Sequence, residues 1–150
     1  MISHLPLVIG LGSNHGDDQA GWFVVDRLRE LGYPDTSLYR ATHPADIFDV
    51  AVKDRQLIIC DACLAENSPC KINRLTWPTD QLLEHQTSGT HDLSLRQVLS
   101  VGQQLQCFPE TIDIWTIDGC SWTSGAPVAH KIQVAAAEVA KRIWEAAHHA

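Results

Sequence analysis

The chain has 150 residues, 45% hydrophobic and 19% charged, the length and balance of one globular domain able to bury its own core. A formal charge of −7 with only 11 Lys and Arg excludes the basic face that phosphate binding needs and gives no attraction to an anionic membrane. No stretch reaches the roughly 18 apolar residues of a membrane span, and Leu7-Val8-Ile9 runs at once into glycines and acids, unlike a secretory signal; neither a nucleic-acid partner nor membrane insertion is expected.

Residues 5–11 form a short apolar run ending in glycine and read as a buried strand. Ala20, Val24, Leu28 and Leu31 then recur at helical spacing, with Phe23 on the same side, which predicts a helix over 17–31. Asp17 and Asp18 stand at its start, where the helix dipole favours negative charge, and Gly32 and Pro34 mark its end. Residues 36–40 read as a second strand, and Pro44 opens a short helix through about Lys53. Gln56-Leu-Ile-Ile-Cys-Asp61 is a continuous apolar run, the pattern of a strand covered on both faces.

Residues 71–76 alternate as a strand, and a long polar loop follows to about Thr90. Leu95, Val98, Leu99 and Leu105 give one face to a helix over about 92–107. Residues 111–117, rich in β-branched side chains and Trp, predict a strand. From Pro127 onward Val128, Ile132, Ala135, Val139, Ile143 and Ala146 form an apolar stripe, the last helix. Alternating strands and helices, with no repeat or linker, predict a single α/β domain over 1–150. Its expected form is a three-layer sandwich with about five largely parallel strands and helices on both faces.

Several clusters carry possible chemistry. Gly10-Leu-Gly-Ser-Asn-His-Gly-Asp-Asp18 is a glycine loop between a strand and a helix. It is a poor dinucleotide loop. His15 stands where the third glycine belongs, and two carboxylates at the helix start repel a pyrophosphate. One acid suffices as a helix cap, which leaves the second free to act as a ligand. Asp61 closes the most apolar strand, at the sheet edge where open α/β folds bind their ligands.

Cys60-Asp-Ala-Cys63 has the spacing of a metal or redox pair, but no second pair exists and Cys60 continues the apolar run. With Cys70, Cys107 and Cys120 the cysteines number five, an odd count that reads as structural, reduced thiols in a cytoplasmic chain. His91 lies in Ser88-Gly-Thr-His-Asp92, just before a helix whose positive end favours the neutral imidazole that a metal needs. His15 and His43 are weaker candidates for the same edge. Asp18, Asp61 and His91 together make a mixed oxygen and nitrogen set for a divalent transition metal. Three protein ligands leave positions open for water or substrate. No nucleophile with a paired base is evident, so any hydrolysis would use an activated water.

Gly10-x-Gly…Gly16-Asp-Asp-x-x-Gly21, Leu-Ile-Ile-x-Asp61-Ala and Thr90-His-Asp-Leu-Ser-Leu resemble, in order and spacing over about residues 7–105, the maturation endopeptidases of nickel–iron hydrogenases. The resemblance implies a five-stranded α/β sheet flanked by helices. It also implies an endopeptidase that removes the C-terminal extension of the hydrogenase large-subunit precursor once nickel is inserted. Nickel then belongs to the precursor rather than being held permanently by the enzyme. The family's ligand positions fall on Asp18, Asp61 and His91, and Asp17 is expected to cap or support. A monomer is expected. Residues 38–46 lack the family's glycine turn, and residues 118–127 also depart from it; both bear on the substrate-contact surface. The rival reading is a non-cleaving metal-sensing or chaperone module on the same fold. A small nucleotide-binding domain is a third, disfavoured by the loop acids.

Overall fold

The computed structural model describes residues 5–64, 70–82, 93–119, 125 and 128–148. Along these residues the chain runs β1 (Leu7–Leu11), α1 (Ala20–Leu31), β2 (Leu38–Ala41), α2 (Ile47–Val50), β3 (Leu57–Leu64), β4 (Ile72–Trp77), α3 (Leu95–Gln104), β5 (Ile112–Gly119) and α4 (His130–His148). The five strands form one sheet in the order β2-β1-β3-β5-β4. All pairs are parallel except β4–β5, which is antiparallel. The expected α/β sandwich is thus present, with its last-placed strand turned against the others.

The pleat divides the sheet's side chains between two cores. Val8, Ile58, Cys60, Ala62, Trp115 and Ile117 pack with Val24, Val25 and Leu28 of α1 and with Ile132, Val139 and Ile143 of α4. Leu7, Ile9, Leu11, Leu57, Ile59, Ile112 and Ile114 pack on the other face with Ile47 of α2 and with Leu95, Val98 and Leu99 of α3. This is why β1 and β3 read as unbroken apolar runs: a strand covered on both sides has no polar face. Each fully buried aliphatic here contributes about 1.5–3 kcal/mol.

Two glycines set how closely α1 lies on the sheet. A Cβ on Gly21 would stand 2.3 Å from the Leu11 carbonyl oxygen and 2.5 Å from that of Cys60. A Cβ on Gly10 would stand 2.2 Å from the Gly21 carbonyl oxygen. Only hydrogen fits at either position, so helix backbone and strand backbone meet directly at the carboxyl end of β1.

The elements differ from the sequence expectations at their ends. The helix expected over 17–31 begins with a 3-10 turn, Gly16–Gln19, and becomes α-helical only at Ala20. Gly16 takes φ +55, a left-handed entry that a regular helical turn does not have. The helix opened by Pro44 is a 3-10 turn, Pro44–Asp46, followed by the single turn of α2; it stops at Val50 because Ala51 is already extended. β3 continues to Leu64, three residues past Asp61, because β5 pairs with it up to Gly119.

Candidate functional site

β1 pairs with β3 only as far as Gly10 opposite Cys60. Asp61 is therefore the first residue of β3 with no β1 neighbour, although β5 still holds it in register through Thr116. The apolar run places a carboxylate at the carboxyl edge of the sheet yet leaves it only 7% exposed. Its Oδ1 accepts the N–H of Ala62 at 2.8 Å. Burial holds the Asp61 carboxyl well above the ordinary carboxylate range, and the nearby charge of Asp18 raises it further.

Asp18 reaches this edge from the 3-10 turn. Burial raises its carboxyl too, opposed by a hydrogen bond from Ser13 and by the nearby His15. Ser13 Oγ donates to Asp18 Oδ2 at 2.5 Å and lies 2.9 Å from His15 Nδ1. The loop carrying these groups is fixed at both ends. Gly12 N–H donates to the Ala41 carbonyl at 3.0 Å, and Gly125 N–H donates to the Asn14 carbonyl at 2.8 Å. Trp22, against whose ring Gly12 lies, donates Nε1–H to the Ala41 carbonyl at 2.9 Å.

The two adjacent acids diverge. Asp17 is 4% exposed, and its Oδ1 accepts the Ala129 N–H at 3.2 Å, just ahead of α4. A Cβ on Gly119 would lie 2.6 Å from the Asp17 Cβ, so glycine at the end of β5 makes room for this side chain. Asp17 thus ties the 3-10 turn to β5 and α4, while Asp18 supplies the carboxylate beside Asp61.

His91 lies outside the described residues. Just after it, α3 begins with a capping box: Ser94 Oγ accepts the Gln97 N–H and the Gln97 side chain accepts the Ser94 N–H. Among the described residues no three His, Cys, Asp or Glu side chains cluster as a metal site; Asp18 and Asp61 stand as a pair. Two carboxylates of raised pKa at one edge favour sharing a proton, or binding a divalent cation that displaces it.

The cysteine pair separates across the sheet. Cys60 packs in the core beneath α1 and α4, and burial pushes its thiol far up. Cys63, three residues on, points to the opposite face by the strand's alternation, and burial raises it as well. They cannot share one ligand, and neither has the thiolate character of a reactive cysteine. His43 caps the 3-10 turn at Pro44, its N–H donating to Asp46 Oδ2 at 3.2 Å.

Three polar residues missed in the sequence line the same edge. Asn73 Nδ2 donates to Thr116 Oγ1 at 3.2 Å and to Asp118 Oδ1 at 3.0 Å. Thr116 and Asp118 share the Asp61 side of the sheet by alternation along β3 and β5. Burial raises the Asp118 carboxyl, against the Asn73 hydrogen bond and the charge of Lys71. The antiparallel pairing of β4 is what brings Asn73 opposite Thr116. Ser13, also missed, carried one signal: a hydroxyl in the glycine loop five residues ahead of an acid.

No protein-family model matches the chain, and no curated protein matches it. Solved structures do. The hydrogenase maturating endopeptidase HybD from E. coli superposes with a TM-score of 0.72 at 20% identity, over 97% of this chain and 93% of its own. The nickel–iron hydrogenase maturation protease HycI from Thermococcus kodakarensis KOD1 gives 0.67 at 21%, over 94% and 90%. The hydrogenase 2 maturation peptidase from Thaumarchaeota archaeon SCGC_AB-539-E09 gives 0.62 at 18%, over 95% and 97%. The chain has the fold of the hydrogenase maturation proteases across nearly its whole length.

Proposed function

We propose that this protein is a hydrogenase maturation endopeptidase, a cytoplasmic single-domain monomer. In this reading it removes the C-terminal extension of a nickel–iron hydrogenase large-subunit precursor after nickel insertion. The observation that carries the reading is the pairing of Asp18 with Asp61 at the carboxyl edge of a sheet with the maturation-protease fold.

The chemistry follows from the pair. Without a countercharge, two carboxylates side by side at this buried edge are costly: burial raises both, and the charge of Asp18 raises Asp61 further. Nickel arriving in the precursor supplies that countercharge. Asp18 and Asp61 bind it, and His91, which precedes α3 in the sequence, serves as the third ligand. Docking then depends on nickel, so nickel-free precursor is passed over. A metal held this way orients the nearby peptide and can polarise its carbonyl toward water.

The test is the intact mass of a nickel-loaded large-subunit precursor before and after mixing with the protein. Nickel-free precursor, His91→Ala and Asp61→Asn serve as controls. Loss of a C-terminal peptide only with nickel and only with the unmodified chain supports the proposal. Complex formation without any change of mass supports the non-cleaving chaperone reading instead.

A further inference from the structure

The loop between β1 and α1 contains a hydrogen-bonded chain that the pair of carboxylates does not by itself require. His15 Nδ1, Ser13 Oγ and Asp18 Oδ2 stand in series at 2.9 and 2.5 Å. A hydroxyl has one proton to give. Ser13 gives it to Asp18, which leaves the serine oxygen to accept from the imidazole, an arrangement that calls for a proton on His15 Nδ1. On the other side of the carboxylate, Oδ1 of Asp18 has no hydrogen-bond partner among the described residues.

We infer that Ser13 and His15 are positioning residues for Asp18, occupying one oxygen so that the other is presented alone, in a fixed direction, to whatever cation or donor docks at the edge. The inference rests on the proposed function for its consequence, but its geometry stands apart from it. The chain is spaced for this purpose. Ser13 follows directly on Gly12, which is bonded to β2 and packed on Trp22, so the hydroxyl is anchored on the sheet. Asp18 sits on a 3-10 turn, and its N–H donates back to the His15 carbonyl at 3.1 Å. Both ends of the relay are therefore set by backbone, and the serine hydroxyl bridges the loop to the turn. Partners that orient ligating groups in this way change affinity or activity by about 10- to 100-fold when removed. With Oδ2 already accepting from Ser13, Oδ1 is the more available oxygen of Asp18.

Two measurements test this. Long-range proton–nitrogen NMR of the unmodified protein at neutral pH should show His15 as the Nδ1–H tautomer. Ser13→Ala should release it toward the commoner Nε2–H form, while Ser13→Thr should keep it. A resting Nε2–H tautomer, or one that Ser13→Ala leaves unchanged, overturns the inference. In the cleavage assay with nickel-loaded precursor, Ser13→Ala should lower kcat/KM by about 10- to 100-fold. His15→Ala should have a smaller effect in the same direction, and Ser13→Thr and His15→Asn should recover most of the loss. Wild-type kinetics in Ser13→Ala, or failure of a folded Ser13→Thr to recover, overturns it equally. If the unmodified chain leaves every precursor intact, the proposed function falls, and the positioning inference is judged on the NMR arm alone.

Discussion

Substituting Gly21 by alanine sets two effects of opposite sign against each other. In an exposed helix the change gains about 1 kcal/mol of helix propensity. Here the new methyl would meet the Leu11 carbonyl oxygen at 2.3 Å and the Cys60 carbonyl oxygen at 2.5 Å. Both are backbone atoms of central strands and have no rotamer by which to move away. Carbon contacts settle near 3.5 Å, so α1 must retreat from the sheet by about 1 Å. Overpacking of this kind costs about 1–3 kcal/mol, and a clash on two backbone atoms belongs at the upper end. The propensity gain does not offset it, so a net loss of about 2 kcal/mol is expected, roughly 4–8 °C in Tm for a chain of this size. Because Asp18 sits on the turn leading into α1, the same retreat moves it from Asp61. An ångström of misplacement in a reacting constellation can cost about 100-fold in rate. Thermal unfolding by circular dichroism and the precursor cleavage assay read the two effects. A variant as stable as wild type, or more so, would refute the close-approach argument. A destabilised variant with undiminished cleavage would show that α1 does not set the carboxylate spacing.

Asp61→Asn should stabilise the protein at neutral pH while abolishing cleavage. The carboxyl is raised above 3.8 on folding, so the native state holds its proton more tightly than the unfolded chain. Wild-type stability is therefore lost as pH rises from about 3.8 through the raised value, and the asparagine lacks that loss. The difference in Tm should be small below pH 3.8 and grow toward neutrality; a difference independent of pH refutes it. Asn73→Ala removes the donor shared by Thr116 and Asp118 and should cost about 1–2 kcal/mol in urea unfolding, with Asp118→Asn suppressing part of the loss in a double mutant. Ser94→Ala removes the N-cap of α3 and should cost about 1 kcal/mol by the same measurement. Gly32→Ala, at φ +103 with only the Trp144 ring near, should cost about 1–2 kcal/mol from backbone strain alone and leave cleavage untouched.

Much of the fold was legible because burial on both faces leaves a plain mark. Leu7–Leu11 and Leu57–Cys60 are apolar at every position, and α4 shows its stripe from Ile132 to Ile143. The run before Asp61 placed that acid at the sheet's carboxyl edge, since strand length and parallel order fix which end it occupies. The direction of β4 was not legible. An alternating six-residue strand reads alike either way, and only its pairing with β5 decides that Asn73 meets Thr116 rather than solvent.

The family resemblance named Asp18 as the ligand and Asp17 as the cap, but the physical reason for that division lies in the tertiary structure. As neighbours at a helix start they are equivalent to any pattern or propensity argument. The left-handed Gly16 and the 3-10 turn after it rotate them apart. One is carried to the Ala129 N–H beneath Gly119, and the other to Ser13 and the edge where Asp61 emerges. Sequence by itself determined that carboxylates would collect at this edge. Which oxygen of Asp18 faces out and which hydroxyl supports it were set by how the loop, turn and strands pack, because direction in space arises only when those elements meet.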